Sequence, residues 1–191
     1  MGSVTALNES DRRWLLQLAR RTLEKLPPKG ATVPHEKVLI ETEAPQATRE
    51  ERGAFVTLHT TGGQLRGCIG YVLPVGTLYR AVIENAVNAA RRDPRFAPVA
   101  PHEVPELRIE ISAMGAPQLV AKIEEIEVGR DGLIVGDGRT RGLLLPQVAT
   151  EYGWDRETFL DHTCRKAGLT VGAWRLGDLR IERFSAEVFG E

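Results

Sequence analysis

The sequence predicts an α+β fold, a mainly antiparallel sheet with flanking helices arranged as two similar hairpin-plus-helix halves. Three observations carry this. Apolar residues recur at helical spacing in well-separated stretches, and strict alternation marks LRIEISAM at 107–114. An apolar strand, a glycine-containing turn and an Arg-Gly-apolar strand also occur twice in the same order, first in GAFVTLHTTGGQLRGCIG and again in DGLIVGDGRTRGLLLP.

From Asn8 to Leu26 the apolar positions Trp14, Leu15, Leu18, Ala19, Leu23 and Leu26 fall on one helical face. Asn8 or Ser10 is the expected N-cap and Pro27-Pro28 the stop. Residues 27–52 are rich in Pro, Glu, Thr and Ala and read as a mostly irregular connection with one apolar patch, Val38-Leu39-Ile40. The first hairpin follows. Its period of two places Ala54, Val56 and Leu58 on the core side, with Leu65, Gly67, Ile69 and Tyr71 of the second strand. Phe55, Thr57, His59, Arg66 and Cys68 take the other face. A loop of even length around Gly62-Gly63 sets Thr57 opposite Cys68 and His59 opposite Arg66, making His59 a diagonal neighbour of the thiol.

A helix from about Gly76 to Arg92 turns Leu78, Val82, Ala86, Ala89 and Ala90 inward and ends at Asp93-Pro94, because the residue before proline avoids helical geometry. In the strand 107–114, Leu107, Ile109, Ile111 and Ala113 share one face, and Arg108, Glu110, Ser112 and Met114 the other. In the second half Arg141-Gly142 matches Arg66-Gly67, and the position of the cysteine holds Leu143. A short helical stretch at 148–152 precedes a helix capped by Asp155 and closed by Gly168. The chain ends in strand-like WRLGDLRIERFSAEVF. The whole reads as one domain over 1–191 with two subregions, about 1–115 and 116–191.

Composition narrows the functional classes. The formal charge of −1 gives no global field for nucleic acid or an anionic membrane, and 20 of the 25 basic residues are arginine, so anions would be met by planar forks. No run reaches the ~18–20 apolar residues a membrane span needs, and a cytoplasmic location is expected. The two cysteines, Cys68 and Cys164, are expected as thiols. No metal site and no cofactor motif stand out. GDGRTRG at 136–142 superficially resembles a dinucleotide loop, but a strand follows it where that loop requires a helix, so Asp137-Gly138 reads as turn chemistry. His162 and Cys164 project about 200° apart on a helix and cannot share one metal. Cys164 falls among Phe159, Leu160 and Ala167 as core, and Asp161 with Arg165 as an i, i+4 pair.

The residues with chemistry to offer centre on Cys68. A guanidinium at Arg66, two residues away on the same face, favours thiolate over thiol, and His59 is the best-placed base, with Glu110 as a second. Gly67 and Gly70 remove bulk on either side of the sulfur, which opens it to close approach. Asp93 and Arg95 in DPRF form a helix stop with a local ion pair on a loop of the kind that holds binding residues. Two functional classes follow. In one, Cys68 is a nucleophile or redox thiol acting on a small or peptide-linked substrate. In the other, the protein is a scaffold whose Arg66 and Arg141 clamp an anion or acidic peptide.

LRGCIG at 65–70, together with GAFVTL, DPRF, GLLLPQVA and FLDHTCRKAGL, resembles the AMMECR family, whose prokaryotic members are AmmeMemoRadiSam system protein A. The resemblance spans almost the whole chain beyond the first helix. It implies a compact α+β domain, with the LRGCIG hairpin near a cleft between two subregions, and genomic association with Memo-type and radical-SAM proteins. Its motif residues fall on Leu65, Arg66, Gly67, Cys68, Ile69 and Gly70, and it assigns no reaction to them.

Overall fold

A computed structural model describes residues 4–26 and 44–191. The Pro27-Pro28 stop and the patch Val38-Leu39-Ile40 lie outside these residues. Two compact units form, one of Met1–Met114 with Glu187–Glu191, the other of Gly115–Ala186. Sequence alone groups the last five residues with the second half; they belong to the first.

In the first unit, α1 (Glu9–Glu24) starts at a reciprocal cap, in which the Asn8 side chain accepts from the Asp11 amide and the Asp11 carboxylate accepts from the Asn8 amide. Leu15, Leu18, Ala19 and Leu23 are buried as the periodicity requires. The strands β1 (Ala54–His59) and β2 (Leu65–Tyr71) pair antiparallel, and β1 also pairs antiparallel with β3 (Arg108–Met114). Ala54, Val56 and Leu58 meet the helix α2 (Leu78–Arg91), whose five expected inward residues are all buried. Leu65, expected on the core side, is exposed, because β2 is the edge of this sheet. In β3 the second face is buried at its far end, at Ser112 and Met114.

The second unit repeats the plan. After the two-residue β4 (Gln118–Leu119), β5 (Asp131–Gly136) pairs antiparallel with β6 (Arg141–Leu144) and with β7 (Arg180–Gly190), whose last residues enter the first unit. Between them lie α3 (Pro146–Glu151) and α4 (Arg156–Lys166). Asp155 caps α4 by accepting from the Thr158 amide at 2.8 Å, and Gly168 takes the left-handed conformation that ends it. Leu133, Val135, Phe159, Leu160 and Cys164 form the core here. Asp161 does not pair with Arg165; its carboxylate accepts from the Gly172 amide and the Trp174 indole at 2.9 and 2.7 Å, securing the turn after the helix.

Both hairpins use the Arg-Gly pair for one purpose. A Cβ on Gly67 would lie 2.2 Å from the Ala89 carbonyl oxygen of α2, and a Cβ on Gly142 would lie 2.2 Å from the Ala167 nitrogen at the end of α4. Each glycine lets a helix backbone settle onto its hairpin.

Candidate functional site

The site is built on the face of β1, β2 and β3 that points away from α2. Thr57 is opposite Cys68 on one side and Glu110 on the other, so the three form a row across the strands. The Thr57 hydroxyl donates to the Cys68 sulfur at 3.3 Å, and the cysteine is half-buried. Asp93, buried at the end of α2, accepts from the Cys68 backbone amide at 2.9 Å. The same carboxylate takes the Arg95 amide and two Arg95 guanidinium nitrogens at 3.1, 3.0 and 2.7 Å. The Arg95 side-chain hydrogen bonds chiefly, and the backbone bonds after them, hold the Asp93 carboxyl far below its ordinary range against the opposing effect of burial. Arg95 is itself half-exposed. The DPRF loop is therefore tied to LRGCIG through one carboxylate, a connection that spacing along the chain does not reveal.

Three sequence expectations change here. His59 is opposite Leu65, not Arg66, because the loop runs from Thr60 to Gln64, an odd length, and the ladder shifts between Leu58 and His59. Arg66 is thereby left without a partner in β1, a bulge that re-aims its side chain. Its Nε and one terminal nitrogen grip Glu103 at 2.8 and 3.0 Å, and the other donates to the Ala97 carbonyl at 2.9 Å. All three nitrogens are committed to structure, and that pairing, with help from the Ala100 amide, lowers the Glu103 carboxyl. Finally, the space beside the glycines is filled by the protein itself: α2 occupies it at Gly67, and at Gly70 a Cβ would lie 2.4 Å from the Phe55 ring and the Ala54 carbonyl.

His59 remains at the end of β1, opposite Arg108 in β3. Glu110 has no polar partner among the described residues. Arg141 belongs to the second unit, where it pairs with Glu182 at 2.7 Å. Cys164 is fully buried, and burial pushes its thiol up. Among the described residues no group of three His, Cys, Asp or Glu side chains is placed to hold a metal ion, and no helix is long and apolar enough to cross a membrane.

The internal repeat extends further than the hairpins. LRIE occurs at 107–110 and again at 179–182, in β3 and β7. Gly136 is opposite Arg180 where His59 is opposite Arg108, and Ile134 is opposite Glu182 where Thr57 is opposite Glu110. Ile134 is also opposite Leu143, as Thr57 is opposite Cys68. The doubled LRIE was the signal in the sequence that could have aligned all three strands.

Residues 16–189 match the AMMECR1 family, and the chain belongs to it. Protein TK0174 of Thermococcus kodakarensis is 45% identical over 188 residues, covering 93% of this chain and 89% of its own. Protein MJ0810 of Methanocaldococcus jannaschii is 45% identical over 162 residues, covering 81% of this chain and 80% of its own. The crystal structure of the uncharacterised protein PH0010 from Pyrococcus horikoshii superposes with a TM-score of 0.79 at 39% identity, over 97% of this chain and 93% of that one.

Proposed function

We propose that this protein is a cytoplasmic thiol enzyme whose Cys68 attacks an electrophilic group on a small or protein-linked substrate, in company with Memo-type and radical-SAM proteins. The observation that carries the reading is the hydrogen bond from the Thr57 hydroxyl to the Cys68 sulfur. A hydroxyl donor holds a negative sulfur more strongly than a neutral one, and the Arg95 guanidinium is bound to the Asp93 carboxylate that holds the Cys68 amide. Thr57 donates to the sulfur, Arg95 supplies positive charge on the same loop anchor, and Asp93 is a positioning residue that fixes the Cys68 backbone. Glu110, beyond Thr57 in the same row, is two strand spacings or about 10 Å from the sulfur, out of reach as its base, so the thiol proton passes to solvent. The sulfur then forms the new bond to an electrophilic carbonyl carbon of the substrate, whose C=O π pair moves onto the oxygen. The partners follow from family resemblance alone.

The rival scaffold reading asks Arg66 and Arg141 to clamp one anion. Arg66 spends every nitrogen on Glu103 and Ala97, which argues against that role for it.

Timed iodoacetamide labelling of the native protein at neutral pH, read by peptide mass spectrometry, tests the reading. Cys68 is expected to react at least about tenfold faster than Cys164, and Thr57→Val and Arg95→Gln each to slow Cys68 several-fold. Equal sluggishness at both cysteines, or rates at Cys68 indifferent to both substitutions, rejects it.

A further inference from the structure

The second unit carries a cavity of about 260 Å³ on the face of β5, β6 and β7 that corresponds to the thiol face of the first. It is lined by Ile134, Gly136, Arg139, Arg141, Arg180 and Glu182 among others. The geometry points to a binding site for a small phosphate monoester, held by the three arginines.

Register explains why a hollow forms here. Gly136 is opposite both Arg141 and Arg180, so two arginines flank a position with no side chain. The equivalent position in the first unit holds His59, and the equivalent of Arg141 is the bulged, fully committed Arg66. In the second unit the ladder runs without a shift, and both arginines stay in register on one face.

Charge decides what the hollow would take. Three guanidiniums line it against one carboxylate, Glu182, an excess of two positive charges. Arg141 and Arg180 each contact Glu182 through a single terminal nitrogen, at 2.7 and 2.9 Å. The other nitrogens of both have no bond among the described residues. A guanidinium carries five N–H donors, so each fork retains most of its capacity while the buried Glu182 holds it in place. Arg139 has no side-chain partner among the described residues. The neighbouring Asp137 is not among the lining residues, and its carboxylate is turned onto the Arg139 and Thr140 amides of its own turn at 2.8 and 2.7 Å. Planar forks that already hold a carboxylate geometry suit the oxygens of a phosphate, and a dianion matches the excess charge. The volume admits a phosphate and a few further heavy atoms, with Ile134 as apolar contact, which favours a small metabolite over a peptide segment.

This site stands apart from the thiol chemistry and can fail without it. Isothermal titration of the whole protein with glycerol phosphate in about 0.1 M salt, where long-range charge effects are screened, tests it, with amide NMR shifts at Gly136, Gly138 and Thr140 locating the site. Saturable binding is expected, weakened about tenfold by Arg139→Gln and by Arg180→Gln, one charge-assisted contact each. Arg139 sits on an exposed turn, so its substitution leaves folding intact. Arg13→Gln, which removes an exposed arginine of α1, should leave affinity unchanged, and so should Cys68→Ser. Absence of saturation, equal weakening by Arg13→Gln, insensitivity to both cavity arginines, or tighter binding of succinate than of glycerol phosphate would each overturn the assignment.

Discussion

Gly67 and Gly142 show how one residue type can be read two ways. Beside a cysteine, a missing side chain suggests room for a substrate; in the structure the room is taken by a helix backbone at 2.2 Å. Adding a methyl group at either position forces a helix off its hairpin, which overpacking data place at about 1–3 kcal/mol or more. Gly76 is the control, since nothing lies within 4 Å of its Cβ position and its φ is not positive. Urea unfolding should show Gly67→Ala and Gly142→Ala destabilised by that amount, and Gly76→Ala unchanged or stabilised by about 0.4–1 kcal/mol through the unfolded chain. Similar small effects at all three would mean that the helices do not depend on the glycines.

Among the elements, the local chemistry of helix ends was plain in the sequence and the choice of distant partners was not. Asn8, Asp155 and Gly168 act within one turn of their own positions, so the residue types identify the caps. The faces of β1 and the inward row of α2 follow from alternation and periodicity in the same way. The bulge at Arg66 depends on how one loop closes, and a one-residue change in loop length moves His59 from Arg66 to Leu65. Arg66 with Glu103, Cys68 with Asp93 and Arg52 with Glu187 join residues 37, 25 and 135 positions apart, where no periodicity operates. The candidate site was therefore legible as a cysteine on a polar strand face, while its loop anchor was visible only as an isolated Asp-Pro-Arg. That anchor makes a prediction for β2. Asp93→Asn weakens the acceptor shared by the Cys68 amide and Arg95, and charged hydrogen bonds of this kind are worth roughly 1.5–3 kcal/mol. Hydrogen exchange at the Cys68 amide should accelerate with a loss of global stability in that range; protection unchanged from wild type would show that β2 is held without the loop.

Across the whole molecule, carboxylates paired with arginine recur in both units, and they set a common response to acid. Asp93, Glu103 and Glu187 in the first unit and Asp131 in the second all have carboxyls lowered by folding. At Glu187 burial pushes the carboxyl up, but hydrogen bonds from Arg52 and Arg12 outweigh it. Arg52 is 2% exposed and donates also to the Met114, Ala113 and Thr5 carbonyls, so this pair fastens the ends of β3 and β7 to the start of the chain. A carboxyl lowered in the folded state contributes stability that is complete above its unfolded value, about 4, and lost as pH falls through the folded value. Thermal unfolding temperature should accordingly decline below about pH 4.5 and keep falling toward pH 2. Glu187→Gln separates the ion pair from the rest of this effect. At pH 7 the substitution should destabilise by about 1–3 kcal/mol, since Arg52 keeps an oxygen acceptor but loses the opposing charge inside the protein. As acid protonates Glu187 in the parent protein, the two become equivalent, and their unfolding curves should converge as pH falls through the lowered value of that carboxyl. A difference that stays constant from pH 7 to pH 2 would show that Glu187 contributes shape and hydrogen bonding, with its charge supplying none of the stability.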